Sequence, residues 1–291
     1  MPPTVVLPNG MTVSCLQKHE VLLVWLEVEG YLSHGIELRP GDTVFDVGAN
    51  IGLFSLAAYH HCGHNLSIYA FEPVATIFEV LRANIQRNTA DGQVQALPFG
   101  LSNNAETIAF TYYPRAPVLS TAYPDEEADL RMVENVVLNN IMHLDDAPLP
   151  VRALRWLPEA LRVPLVRCSL RLALRTKTVT CQMRTLSQFV AERNIERIDL
   201  LKIDVEKAEL DVLLGIEDED WAKVRQIVVE LHDLEGRLKK ITALLEQKGL
   251  SEIAVEQPPT LASSNIFNVF AVRPPTGSEP GSSKRAGVHT R

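Results

Sequence analysis

Residues 43–56 constrain the fold of this chain more than any other stretch. They read TVFDVGANIGLFSL: an apolar, β-branched start, a turn with two glycines around an asparagine, and apolar residues at helical period. This pattern predicts a buried strand, a tight loop and a helix. Glycines at such a turn let the backbone approach a ligand closely, so the segment raises the question of which ligand that is.

Strand-like and helix-like segments alternate along the rest of the chain. Apolar runs typical of parallel strands covered on both faces are found at residues 198–203 and 226–231, with further strands predicted at 67–71, 93–97, 107–113, 178–183 and 266–272. Helices are predicted at residues 16–34, 75–88, 205–214 and 235–248. The alternation predicts a doubly wound α/β sheet, which binds its ligand at the carboxyl ends of the strands.

Length and composition predict one main domain. A chain of 291 residues with 46% hydrophobic content suffices for a single α/β domain with an insertion. Residues 1–37 are predicted to form a hairpin and a helix, residues 38–273 the main domain with a lid insertion at 114–177, and residues 274–291, rich in Pro, Gly and Ser, a disordered tail.

Charge and cysteine usage exclude several classes of protein. A net charge of −8 argues against nucleic-acid binding, which needs clustered Lys and Arg. The early apolar runs are too short to span a bilayer, so we expect a cytoplasmic protein without integral membrane association. The scattered cysteines favour reduced thiols over disulfides or a zinc site; they are Cys15, Cys62, Cys168 and Cys181.

Polar residues follow the predicted core strands where each strand ends. They are Asp46, Glu72, Asp204, and Glu230 with His232. For any one of them alone, a helix N-cap or a solvated loop is the better explanation, but parallel strands end at the same edge, so together they are expected to converge on one crevice.

The glycine spacing separates two ligand classes. A dinucleotide fingerprint needs a second glycine where this chain has Asn50 and a third where it has Leu53, so a pyrophosphate is disfavoured. Asp46 is placed to approach a positively charged group, and Glu72 suits the two hydroxyls of a ribose. A ligand with an amino-acid cation, a ribose and no phosphate fits both, and S-adenosylmethionine is such a ligand.

Four motifs resemble one known family. DVGANIG, FEP at residues 71–73, LLKIDVEKAELDVLLGI at 200–216 and VVELHDLEGRL at 228–238 look like the FkbM family of S-adenosylmethionine-dependent methyltransferases. TYYPRAPVLSTAYPDE at 111–126 and SNIFN at 264–268 are similar to members of polyketide and nonribosomal-peptide pathways. The resemblance covers residues 38–272. It implies a Rossmann-like class I methyltransferase fold and methyl transfer, usually to the hydroxyl of a small-molecule or carrier-protein-bound substrate.

The resemblance also implies cofactor contacts. The methionine moiety would be surrounded by Asp46, Gly48, Asn50 and Gly52. Glu72 would hold the ribose, while Leu101 and Ser102 would lie beside the adenine.

His232 is the candidate general base. Glu230, two residues earlier on the same strand face, is expected to hold its imidazole in one tautomer, although a solvated strand-end histidine fits the pattern equally. Lys202 and Asp204 share a side of their strand and are expected to pair in the crevice, whereas Glu206 suits the first turn of the next helix. A divalent cation held by Asp204, Glu206, Glu230 and His232 is an alternative that we do not favour.

The sequence also contains a cluster of arginines and a run rich in histidine, and it is compatible with two alternative functions. Arg167, Arg171 and Arg175 form a helical stripe in the lid, either a solvated face or a docking surface for an acidic carrier protein or a lipid-like substrate. The HHCGH run at 60–64 is expected far from the crevice. The main alternatives are a sugar hydroxyl methyltransferase and a non-catalytic S-adenosylmethionine-binding module.

Overall fold

The computed structural model describes residues 2–90, 92–140, 153–258, 261–262 and 264–275. Its strands are β1 (Thr4–Val6), β2 (Thr12–Ser14), β3 (Thr43–Val47), β4 (Ser67–Phe71), β5 (Val94–Leu97), β6 (Gly100–Leu101), β7 (Glu106–Tyr112), β8 (Lys177–Arg184), β9 (Leu200–Ile203), β10 (Gln226–His232), β11 (Glu252–Glu256) and β12 (Ile266–Val272). Its helices are α1 (Lys18–Gly30), α2 (Leu53–His61), α3 (Ala75–Asn88), α4 (Glu126–Asn140), α5 (Glu159–Ala173), α6 (Leu186–Arg193), α7 (Glu209–Leu214) and α8 (Arg237–Gln247).

Within the described residues, seven strands form the central sheet in the order β11-β12-β10-β9-β3-β4-β5. β3 pairs in parallel with β4 and β9, and β10 pairs in parallel with β9. β12 runs antiparallel to both of its neighbours, β10 and β11. The expected doubly wound α/β sheet is therefore confirmed, and β3, β4, β9 and β10 end at one edge.

Side chains alternate between the two faces of this sheet, and each face has its own core. Val44, Leu200 and Val228 pack in the core that includes α2 and α3. Their neighbours in sequence, Phe45 and Leu201, pack in the core that includes α6 and α7. Because both faces are covered, the strands read as continuous apolar runs rather than as an alternating pattern.

Two further units lie around the carboxyl edge of the sheet. β1 and β2 form the expected hairpin, and α1 contacts α2. β7 and β8 pair antiparallel. The described residues between them in sequence, 114–140 and 153–176, are called the lid here, and α4 and α5 of this segment pack together. Among the described helices, none is long and apolar enough to cross a membrane.

Several predicted boundaries differ from the structure. The helix expected from residue 205 begins at Glu209, because Glu206 and Lys207 have left-handed backbone angles (φ 47° and 76°) that end helical geometry before it starts. β11 and α6 were not predicted. From residue 276 onward, the predicted tail lies outside the described residues, as does the part of the lid at 141–152.

Candidate active site

A cavity of about 540 Å³ opens at the carboxyl edge of the sheet. Its floor is formed by the ends of β3, β4, β9 and β10, and its walls come from α1, the loop after β3 and the lid. The apolar wall residues include Val24, Val28, Val118, Met132, Val133, Val137, Leu170 and Leu174. A mainly apolar chamber with a few convergent polar groups is the usual form of a small-molecule site.

The loop after β3 reaches the cavity through left-handed turns. Gly48, Asn50 and Gly52 have φ values of 77°, 49° and 90°. A Cβ on Gly48 would lie 1.7 Å from the carbonyl oxygen of Asp204, so only glycine permits this approach between the loop and the end of β9. Gly48 and Asn50 line the cavity, whereas Gly52 packs beneath it against Leu81.

Asp46 and Lys202 form a buried ion pair below this loop. They are opposed in register on β3 and β9, and Lys202 Nζ lies 3.1 Å from Asp46 Oδ1. Ser55 Oγ donates to the other carboxylate oxygen at 2.6 Å. Asp46 is fully buried and does not line the cavity, and the cation that it pairs with in this structure is Lys202. Its contact with a ligand cation stays a prediction.

Lys202 also contacts the cavity. Its Nζ donates to the carbonyl of Gly48 at 2.9 Å and lies 3.3 Å from Asp204 Oδ2, which confirms the expected pairing with Asp204. Burial alone would lower the pKa of Lys202, but Asp46 and Asp204 raise it above its ordinary value. Lys202 therefore carries its charge at neutral pH and fixes both carboxylates.

Glu72 is a buried carboxylate on the cavity wall. Its oxygens accept hydrogen bonds from the backbone N–H of Val74 at 2.8 Å and of Asn50 at 3.2 Å. Burial raises the pKa of Glu72 to about 7, although these two hydrogen bonds oppose the shift. Leu101 lines the same part of the cavity, whereas Ser102 does not. The ribose and adenine contacts remain predictions.

Three acids converge on the other side of the cavity. Asp204, Glu206 and Glu230 line it, with carboxylate oxygens within 4.8 Å of one another. Tyr31, the residue that follows α1, donates to Glu230 at 3.0 Å, and its hydroxyl lies 3.4 Å from Asp204 Oδ2. Burial and the charge of Asp204 raise the pKa of Glu230 well above its ordinary value. The set has the oxygen chemistry of a divalent cation site, but acids also cluster without a cation.

The N-terminal helix supplies an acid that sequence reasoning missed. Glu27 of α1 lines the cavity, and burial, followed by the charges of Asp204 and Glu206, raises its pKa to about 7. Glu27 and Tyr31 are four residues apart and therefore share one helix face, and this spacing was the sequence signal that both could enter the same site. It could not be used because the sequence does not show what α1 packs against.

His232 does not face the cavity. The ring is 2% exposed and lies between two carboxylates, with Nδ1 3.0 Å from Glu209 Oε1 and Nε2 3.3 Å from Glu206 Oε2. Burial would lower the pKa of His232, but Glu206 and Glu209 raise it well above its ordinary value. His232 does not line the cavity, so this geometry lends no support to its expected role as base, which stays a prediction. The expected contact with Glu230 is not formed, because the ring pairs with Glu206 and Glu209 while Glu230 accepts a hydrogen bond from Tyr31.

The turn at Glu206 and Lys207 explains this arrangement. Left-handed backbone at two successive non-glycine residues is unfavourable, at about 1–3 kcal/mol each. It directs the Glu206 carboxylate to both the cavity and His232, while the Glu209 carboxylate at the start of α7 reaches the other ring nitrogen. The sequence pattern placed Glu206 in a helix and therefore did not predict that its carboxylate pairs with His232.

The two peripheral clusters lie apart from these acids. In the basic stripe, Arg167 pairs with Glu134 of α4 at 2.9 Å, whereas Arg171 and Arg175 are exposed on the lid. The HHCGH run is at the end of α2 and does not line the cavity. All four cysteines lie within the described residues and are free thiols.

This strand order, with antiparallel β12 between β10 and β11 and a cavity at the carboxyl edge, defines a Rossmann-like class I methyltransferase. Residues 46–251 match the family model for the methyltransferase FkbM domain. The chain belongs to this family, as the sequence resemblance predicted.

Named relatives are consistent with this assignment. The chain is 39% identical to 31-O-demethyl-FK506 methyltransferase FkbM of Streptomyces tacrolimicus, over 93% of this chain and 96% of that protein. It is 36% identical to AMB antimetabolite synthetase AmbE of Pseudomonas aeruginosa, over 92% of this chain but 12% of that protein. It is 32% identical to methyltransferase sdnD of Sordaria araneosa, over 85% of this chain and 88% of that protein.

Proposed function

We propose that this protein transfers a methyl group from S-adenosylmethionine to a hydroxyl oxygen of a natural product with an apolar skeleton. The observation that carries the proposal is the cavity, which has Glu72 on one side, three acids on the other and apolar lid residues over both. The relative named for 31-O-demethyl-FK506 supports this acceptor class, because it matches nearly full length.

The cofactor end of the cavity comprises Gly48, Asn50, Glu72 and Leu101. Its chemistry fits the ligand, since Glu72 is an acceptor for paired hydroxyls and is already held in place by two backbone N–H groups. S-adenosylmethionine supplies an activated methyl group when bound. The left-handed loop at Gly48 and Asn50 keeps the backbone close to that end.

At the acceptor end, we assign Glu206 as the group that takes the hydroxyl proton. Burial raises the pKa of Glu206 above its ordinary value while His232 opposes the shift, so its carboxylate accepts a proton more readily than a solvated one. His232 pairs with the Glu206 carboxylate and is itself held by Glu209, so the position of Glu206 is fixed on the side away from the cavity. The apolar lid excludes water, and a positioned base contributes about a hundred- to ten-thousandfold in rate.

A carrier-bound acceptor is a second candidate. The match to a synthetase of which this chain spans only 12% favours it, and so does the lid surface, where Arg171 and Arg175 are exposed beside Leu172. An acidic carrier protein would complement this charge.

Release of S-adenosylhomocysteine with a panel of acceptors tests the proposal. The panel contains 31-O-demethyl-FK506, a hydroxyacyl pantetheine thioester as a carrier mimic, and methyl glucoside. We expect turnover with an apolar acceptor and a loss of about a hundredfold or more in Glu206→Gln, with the exposed Glu246→Gln as control. Turnover with methyl glucoside alone would assign the protein to sugars. Full activity in Glu206→Gln would remove the assigned base.

A further inference from the structure

We propose that Lys207 and Asp129 are positioning residues, and that their ion pair ties the lid to the orientation of the Glu206 carboxylate. The inference rests on the proposed function, because it takes Glu206 as the proton acceptor. It concerns residues that do not themselves reach the reacting atoms.

The backbone at Glu206 and Lys207 needs an external constraint. Both residues have left-handed φ angles, 47° and 76°, and neither is a glycine or an asparagine. Local preference would move such a pair into right-handed or extended backbone. A rotation there would carry the Glu206 carboxylate away from His232 and from the cavity it lines.

Three contacts from the lid hold this turn, and one of them runs from Lys207 Nζ to the carbonyl of Tyr123 at 3.4 Å. The ammonium of Lys207 is paired with Asp129 of α4, and both side chains are more than nine-tenths buried. Thr121 Oγ1 donates to the carbonyl oxygen of Glu206 at 2.5 Å. On the other side of the turn, Arg237 of α8 donates to the carbonyl of Lys207. The carbonyls of Glu206 and Lys207 are therefore fixed by hydrogen bonds from two different parts of the fold, the lid and α8.

Asp129 is itself fixed from outside the helix. Tyr113, whose side chain is fully buried, donates to Asp129 Oδ2 at 3.1 Å. On the same helix, Met132, Val133 and Val137 form part of the cavity wall. Helix α4 therefore both forms part of the cavity wall and, through Asp129, contacts the turn at Glu206 and Lys207. The orientation of the Glu206 carboxylate thus depends on how α4 packs.

A purely structural role for this ion pair makes a different prediction. Glu134, also on α4, forms another lid contact, with Arg167 of α5 at 2.9 Å; the Glu134 side chain is 4% and that of Arg167 49% exposed, and within the described residues this contact does not involve Glu206. If Lys207 and Asp129 only stabilise the lid, removing them should resemble Glu134→Gln. If they hold the turn, the outcome depends on whether residue 207 tolerates left-handed backbone.

Two double variants separate these cases. Lys207→Ala with Asp129→Asn, and Lys207→Gly with Asp129→Asn, both remove the ion pair without leaving a lone buried charge. They differ because glycine adopts positive φ without strain and alanine does not. We expect the alanine pair to lower kcat by about tenfold, the population change that matches the left-handed penalty of one residue. The glycine pair should recover most of that loss.

Three readouts accompany kcat, measured with 31-O-demethyl-FK506 or the best acceptor of the panel. The calorimetric affinity for S-adenosylhomocysteine should stay within about twofold in all variants, because the turn at Glu206 and Lys207 does not contact Gly48, Asn50 or Glu72. Amide hydrogen exchange at residues 204–209 should rise in the alanine pair and stay at the wild-type level in Glu134→Gln. Circular dichroism confirms folding.

Equal kcat and equal exchange in the alanine pair, the glycine pair and Glu134→Gln would overturn the inference, even where Glu206→Gln is inactive and the proposed function stands. Full activity in Glu206→Gln would instead remove the assigned base and leave the proposed methyl transfer standing. Hydrogen exchange would still report whether Lys207 and Asp129 hold the turn in that case.

Discussion

Replacing His232 by alanine tests the buried arrangement in which its ring lies between the carboxylates of Glu206 and Glu209. The change removes a charged ring from between Glu206 and Glu209, whose side chains are 16% and 0% exposed. Water has little access to replace the ring, and removing one partner of a buried ion pair costs about 3–5 kcal/mol. Against a typical stability of about 5–15 kcal/mol this is a large fraction, and it corresponds to a fall in Tm of about 10 °C.

The loss should also depend on pH. The pKa of His232 is raised well above its ordinary value in the folded protein, so its contribution to stability is fully present below the unfolded value, about 6.5. That contribution disappears as the pH rises through the raised folded pKa. The difference in Tm between wild type and His232→Ala should therefore be large at about pH 6 and smaller only in the alkaline range.

Thermal unfolding followed by circular dichroism measures both effects, with the exposed His61→Ala as control. A different result would refute the reasoning: an unchanged Tm in His232→Ala, together with lost turnover that added imidazole restores. That combination would mean that the ring is accessible and acts as the base.

Four other predictions follow from the site. Glu72→Gln should weaken S-adenosylmethionine binding by about tenfold to a hundredfold, since hydrogen bonds to a charged group contribute about 1.5–3 kcal/mol. In the wild type, the calorimetric affinity should fall as the pH drops below about 7, because the raised pKa of Glu72 lets its carboxylate take up a proton there. Gly48→Ala should abolish cofactor binding in the same assay, because its Cβ would overlap the carbonyl of Asp204. Treatment with a chelator should leave turnover unchanged if Glu206 acts alone, and a loss restored by Mg²⁺ would assign the three acids to a cation. Arg171→Glu with Arg175→Glu should raise KM for a carrier-bound acceptor at low salt and leave that for a free acceptor unchanged; equal effects on both would argue against docking.

Local sequence determined most of the elements and the strand-end acids that line the cavity. The strand, turn and helix at 43–61 and the last strand at 266–272 follow from periods of two and 3.6 residues and from glycine, which act over a few residues. The same patterns placed Glu72, Asp204 and Glu230 at strand ends, and the parallel sheet then brought them to one cavity. The family motifs agreed because they consist of these local features.

Partners of the buried charges were decided only by the tertiary structure. Lys202 neutralises Asp46 because β9 lies beside β3 in the sheet, and strand order is not encoded in either strand alone. Tyr31 and Glu27 enter the site because α1 packs over the carboxyl edge. The left-handed turn at Glu206 and Lys207 opposes local preference and persists through contacts from residues far away in sequence. Local propensity therefore predicted a helix there, whereas non-local packing produced a turn that brings the Glu206 carboxylate beside the buried ring of His232.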